Sequence, residues 1–217
     1  MKEDHGVATG RVARAGPVSV LRDGGSRALE PRRSAPSRAI SVRVLIRPAR
    51  PDDLEEATLH ERRIRGRMAA TLNEMQRRLF AFPEAFLIGE LRRPGCSPQI
   101  IGIATGLIWT REYPRSYTDY ETVPPSASHN PRGEVLFIAS IGVDPVLRGH
   151  GVGLRLLQEA VEVGRRRHLK LTRLISNSRS QPLFERAGFL PLRSLPRLYR
   201  QHRDLMPSPV LMELPLV

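Results

Sequence analysis

Six consecutive residues, Arg148-Gly149-His150-Gly151-Val152-Gly153, carry the most specific chemical signal in the chain. They come after an apolar run from Val135 to Val143 and lead directly into a segment with helical periodicity. Alternating glycines let successive backbone N–H groups converge, because a side chain at those positions would block close approach of a ligand oxygen. A helix beginning there adds its unpaired first-turn N–H groups and the positive end of its dipole. The chemistry predicted is anion binding, with phosphate as the guest. Two common nucleotide motifs are excluded by the residue types and the glycine spacing. Val152-Gly153-Leu154-Arg155 offers neither the lysine nor the hydroxyl of a P-loop, and the glycines read G-x-G-x-G rather than the dinucleotide G-x-G-x-x-G.

What remains is R-x-x-G-x-G, formed by Arg148, Gly151 and Gly153 behind Val143-Asp144-Pro145. This resembles the acetyl-CoA pyrophosphate loop of the GNAT N-acetyltransferase superfamily. A second stretch, Asn177 to Phe189, is similar to that superfamily's N-x-x-A-x-x-L-Y-x-x-x-G-F motif. Asn177, Leu183, Gly188 and Phe189 match it, while Ser180 replaces the alanine and Phe184 the tyrosine. Two motifs in order, one helix and one strand apart, are far more specific than either alone. The resemblance implies an α/β (α+β) domain with a mixed, mostly antiparallel sheet of about six to seven strands flanked by about four helices.

The elements that must position these motifs are legible in outline. Residues 1–39 are rich in Arg, Gly, Ser, Ala and Pro without apolar periodicity, which predicts a disordered basic arm ahead of a domain over residues 40–217. Alternation from Ile40 to Arg47 predicts a first strand. Helices are expected from Asp52 or Asp53 to about His60, and from about Arg67 to Phe80, their arginines facing water. Ala85 to Leu91 and Gln99 to Trp109 read as neighbouring strands joined at Cys96. Glu134 to Val143 reads as a central strand covered on both faces. The helix after the loop places Leu156, Leu157, Ala160 and Val161 on one stripe, with Arg155–Glu159 and Glu162–Arg166 expected as i, i+4 pairs. Strands over Lys170 to Ser176, Phe189 to Leu192 and Pro209 to Val217 complete the sheet. The intervening segment from Thr110 to Gly133 carries several tyrosines and acids, and is expected to form an acceptor-site lid.

The formal net charge of +13 suits a ligand carrying several phosphate charges. With only 5% aromatic residues and no nucleic-acid motif, a nucleic-acid partner is not expected. The single cysteine and the lack of a membrane-spanning apolar stretch predict a cytoplasmic protein with no membrane partner. No histidine spacing suggests a metal.

The resemblance implies acetyl transfer from acetyl-CoA to a small-molecule or peptide amine, by direct attack in a ternary complex. It implies that the pyrophosphate rests on backbone N–H groups of Arg148, Gly149, His150, Gly151, Val152 and Gly153. The pantetheine arm would pair along Ile141, Gly142 and Val143, with Asn177 and Phe184 also at the donor site. It implies a catalytic carboxylate near Glu134, with Glu112, Asp119 and Glu121 as further candidates. Phenylalanine at 184 has no proton to give the departing thiolate, so water or another tyrosine such as Tyr199 would serve as the acid. A homodimer is compatible with the sequence. Two other readings stay open: a non-catalytic acyl-CoA-binding module, and a basic RNA- or ribosome-associated protein.

Overall fold

The computed structural model describes residues 43–216, so the expected arm over residues 1–39 lies outside the described residues. Seven strands form one sheet in the order β1-β2-β3-β4-β5-β7-β6. The strands are β1 (Arg43–Pro48), β2 (Phe86–Arg92), β3 (Gln99–Trp109), β4 (Val135–Val143), β5 (Leu171–Ser176), β6 (Leu190–Ser194) and β7 (Val210–Pro215). Every pairing is antiparallel except β4 with β5. That single parallel step requires a crossover, supplied by α4 (Val152–Arg166). The other helices are α1 (Leu54–Arg65), α2 (Leu72–Ala81), α3 (Tyr117–Thr122) and α5 (Gln181–Arg186).

Alternation along β2 divides the interior. Phe86 and Ile88 point to one face, where they pack with Leu54 and Ala57 of α1 and Met75 and Leu79 of α2. Leu87 and Leu91 point to the other, where Leu156, Leu157 and Ala160 of α4 cover them. Leu156 and Leu157 are fully buried, and each contributes about 2 kcal/mol of transfer free energy. Trp109 at the end of β3 stacks on Phe137 of β4 with ring centroids 3.7 Å apart, which ties the far end of the sheet together.

Several sequence expectations need correction. The first helix runs five residues beyond His60 to Arg65, and α2 starts only at Leu72, where the Thr71 hydroxyl caps it by accepting from the Glu74 N–H at 3.2 Å. On α4 the expected i, i+4 pairs are absent. Arg155 instead donates to the Val44 carbonyl of β1, while Arg165 pairs with Glu162 and Arg166 with Glu159. The segment between β3 and β4, expected as an acceptor-site lid, has secondary structure of its own. It contains α3, capped by Ser116 and Asp119, and Ser126 anchors it to the Glu74 carboxylate of α2. Glu121 of α3 accepts from the Tyr199 N–H at 2.7 Å, fixing the same segment to the β6–β7 connection. No helix among the described residues is long and apolar enough to cross a membrane.

Candidate functional site

β4 runs beside β5 only from Val135 to Ile138, where Ile138 faces Leu174. Beyond that point the strands part. The parting coincides with a bulge: Thr105 of β3 faces Ser140 and the next residue, Gly106, faces Ile138, leaving Ala139 unpaired between them. A bulge bends its strand and sharpens the local twist, so the remaining residues of β4 swing away from β5. The result is a cleft of about 580 Å³ whose floor is Ala139 to Val143 of β4 and Ile175 of β5.

One mouth of this cleft is the glycine loop. Gly149 (φ +81°) and Gly151 (φ +78°) lie in the left-handed region, which L side chains rarely adopt, and Gly151 is the N-cap of α4. The Arg148 N–H makes a 3.3 Å turn bond to Pro145 and the His150 N–H a 3.4 Å bond to Leu147. Among the described residues, the N–H groups of Gly149, Gly151, Val152, Gly153 and Leu154 have no acceptor within the chain. Unpaired amides converging at a helix start are an anion site. A Cβ added at Gly153 would lie 3.5 Å from Val143 and 3.6 Å from Leu183, so a side chain there would occupy the cleft without disturbing the fold.

The structure gathers most of the residues expected at the donor site. Ile141, Gly142, Val143, Arg148, Gly149, Gly151, Val152, Gly153, Asn177 and Phe184 all line the cleft. His150 is not among the lining residues: it is exposed, its N–H bonds to the Leu147 carbonyl at 3.4 Å and its imidazole contacts the Arg148 carbonyl. Phe184 is 3% exposed and meets Phe189 edge-on at 6.1 Å. Asn177 is committed within the protein. Its side-chain oxygen accepts from the Arg179 and Ser180 N–H groups, and its amide nitrogen donates toward the Leu205 carbonyl.

The two residues expected to move protons stand apart from this lining. Glu134 lies one residue ahead of β4, roughly 13 Å along the strand from the parting at Ile138. Its exposed carboxylate is bonded to Arg111 at 2.7 Å. Neither position nor partner gives it a direct proton-transfer contact, which needs about 3 Å. Tyr199 packs against the cluster of Leu195, Leu198 and Leu211 and is not among the residues lining the cleft. Burial pushes its phenol up, so it keeps its proton at neutral pH. Tyr120, partly buried beside it, is pushed up to about 12 by burial.

A different carboxylate reaches the bulge. Glu61 of α1, 1% exposed, receives the Ser140 hydroxyl at 2.7 and 2.9 Å from its two oxygens. Its Oε1 is 3.5 Å from Nε of Arg65, which lines the cleft together with Met68 and Leu205. His60, fully buried beside Glu61, is held low, first by burial and then by Arg63. Sequence reasoning groups this helix as a solvated basic face and misses Glu61. The available signal is its place on the inward stripe of α1 with Leu54, Ala57 and Thr58.

The model of the acetyltransferase (GNAT) family matches residues 52–189. No curated protein sequence matches the chain. Among solved structures, the chain is similar to the GphF GNAT-like decarboxylase in complex with isobutyryl-CoA, at 19% identity and TM-score 0.66, covering 80% of this chain and all of that one. It is similar to the loading GNATL domain of CurA from Lyngbya majuscula at 15% identity and TM-score 0.65, covering 80% of this chain and 98% of that one. The ribosomal-protein-S18-alanine N-acetyltransferase from Escherichia coli aligns at 18% identity and TM-score 0.55, over 80% and 94% of the two chains. At these identities the likeness shows the fold.

Proposed function

The chain belongs to the acetyltransferase (GNAT) family, and from that premise we propose that it is an acyl-CoA-dependent N-acetyltransferase acting on a small-molecule or peptide amine. One observation carries the reading: five residues between Gly149 and Leu154, their N–H groups unpaired within the described chain, line the cleft that opens where β4 leaves β5. Acyl-CoA fits this arrangement as substrate, with its diphosphate on those amides and its pantetheine arm beside Ala139 to Val143. It brings an activated thioester; the protein supplies position and electrostatics.

Arg148, Arg179 and Arg186 add positive charge along the donor side of the cleft. Phe184 and Leu183 give it an apolar wall. The acceptor amine enters from the side of Arg65, Met68 and Leu205, and must arrive neutral to attack. Glu134 is proposed only as a carboxylate acting through solvent, because its ion pair with Arg111 leaves it no direct contact. The departing thiol has an ordinary pKa near 8.5, so water can protonate it, and Tyr199, outside the cleft lining, is proposed as the protein acid only by way of water.

The test is direct. Acetyl-CoA is mixed with the full chain and a panel of amines and amino-terminal peptides while free thiol is followed. Acceptor-dependent thiol release supports the proposal. Calorimetric CoA binding without such release would make the protein a binding module, and no CoA affinity in folded protein would end the reading.

A further inference from the structure

The bulge that opens the cleft is held from above by two buried charged residues of opposite sign. Thr105 and Ser140 face one another across β3 and β4 at the bulge, and both are buried. Arg78 of α2 donates from Nη1 to the Thr105 hydroxyl at 3.2 Å, and its Nε is bonded to Glu74 at 2.9 Å. Glu61 of α1 takes the Ser140 hydroxyl. One turn further along α1, Ile64 lies over Gly142, where an added Cβ would come within 3.0 Å of it. Helix α1 therefore touches β4 at Ser140 and Gly142, two residues on the same face of the strand, through Glu61 and Ile64 on the same face of the helix.

We propose that Glu61 is a positioning residue for acyl transfer: by holding Ser140 it fixes the bulged edge of β4, Ala139 to Val143, in the geometry the acyl donor must meet. This role rests on the acyltransferase reading of the cleft. A buried carboxylate is a poor way to gain stability, since desolvation offsets most of what its partners return. Here its partners are one hydroxyl and a guanidinium at 3.5 Å. What the arrangement does secure is direction. Ala139 has no partner on β3, and β5 has already left, so beyond the bulge the sheet holds β4 along one edge alone, through the pairing of Ser140 to Val143 with β3. A strand paired on one edge only, directly after a bulge, can still twist about that edge through several orientations. Glu61, anchored in α1 among Leu54 and Ala57, selects one.

Misplacing reacting groups by about 1 Å costs on the order of a hundredfold in rate. Glu61→Gln preserves size and can keep one hydrogen bond to Ser140. The test uses the full chain carrying Glu61→Gln, Ser140→Ala and both changes together. Acetyl-CoA affinity is measured by calorimetry, kcat and KM by thiol release, and amide exchange by mass spectrometry.

In each single variant kcat is expected to fall by about ten- to a hundredfold while acetyl-CoA affinity stays within about threefold. The double variant should be no worse than the poorer single, because both changes remove one contact. Exchange over residues 139–143 should quicken by about tenfold, with residues 135–138 unchanged. Wild-type kcat and exchange in Glu61→Gln would overturn the proposal, as would equal loss of affinity and rate with quickened exchange throughout the sheet. Should Glu61→Gln fail to fold, Ser140→Ala decides by the same criteria. A wild-type protein that binds no CoA overturns the functional reading first, and is recognised as such before any variant is made.

Discussion

Arg67, in the turn between α1 and α2, reaches Asp204 in the connection between β6 and β7 with a guanidinium-to-carboxylate distance of 2.5 Å. Its Nε also donates to Nδ1 of His202 at 2.9 Å. Met68 and Leu205, the neighbours of this pair in sequence, are both cleft-lining residues. The contact thus joins two otherwise separate segments of the cleft lining, on the side proposed for the acceptor. Both side chains are more than half exposed, so the pair adds little stability, under about 1 kcal/mol. Arg67→Ala should leave the melting temperature within about 2 °C, leave acetyl-CoA affinity unchanged, and raise the KM for the amine several-fold. Unaltered acceptor kinetics would show that the bridge has no part in holding that wall.

The glycine loop makes two separable predictions about stability and binding. Gly151→Ala forces a Cβ into a left-handed conformation, so it should cost about 1 to 2 kcal/mol and weaken CoA binding by displacing the amides at the start of α4. Gly153→Ala behaves in the opposite way, because residue 153 is helical and its Cβ has ordinary contact distances. It should stabilise the protein by about 0.5 to 1 kcal/mol while lowering CoA affinity by at least about tenfold, since the methyl group enters the donor cleft. Thermal melts beside calorimetric titrations check both. A Gly153→Ala protein with full CoA affinity would place the diphosphate elsewhere.

How much of the fold and the site is legible in the chain depends on the range of the interactions. The loop is legible because its requirement is local: positive φ at residues 149 and 151, then a helix start. Strand β3 is legible from Gln99 to Trp109 because it is apolar and bounded by turn residues. Glu61 is not. In Leu54–Arg65 the helical stripe of Leu54, Ala57 and Thr58 is the one local sign that Glu61 turns inward, and nothing local names its partner, Ser140, 79 positions later. The β4 bulge is equally hidden, since a one-residue offset against β3 leaves no mark on an apolar run. Glu134 illustrates the converse: its place at the start of the central strand is read from sequence to within one residue, but Arg111, which binds it, lies in a segment whose path has no periodic signal.

Acid should destabilise the domain in two stages. Burial, and after it Arg63, lowers the His60 imidazole. Hydrogen bonding from Arg47 holds Asp53 below the usual carboxylate range, while burial pushes Glu90 up but Arg92 and Arg47 outweigh it. All three groups therefore take up protons less readily in the folded than in the unfolded chain, and stability falls as pH falls. The melting temperature should decline below about pH 6.5 as unfolded-state histidine protonates, then more steeply below about pH 4. His60→Gln should flatten the first stage and leave the second. An unchanged slope between about pH 7 and pH 5 in that variant would assign the first stage to another group.

Phe184 stands where the resemblance calls for a tyrosine, and the structure gives its ring a packing role. It is buried at the cleft wall, edge-on to Phe189 and part of the same core cluster as Val152 and Leu156. Removing it should cost about 3 to 4 kcal/mol and open the wall beside the pantetheine channel. Phe184→Ala is therefore expected to lower the melting temperature and to weaken acetyl-CoA binding by at least about tenfold at a temperature where the variant remains folded. Phe184→Tyr keeps the ring and adds a hydroxyl at the cleft, so it should preserve CoA affinity, with turnover unchanged or raised if the phenol reaches the leaving sulfur. Parallel melts, titrations and thiol-release assays separate these effects. A Phe184→Tyr protein that folds and binds CoA yet has no turnover would contradict the packing role and show that the bare ring itself is required for transfer.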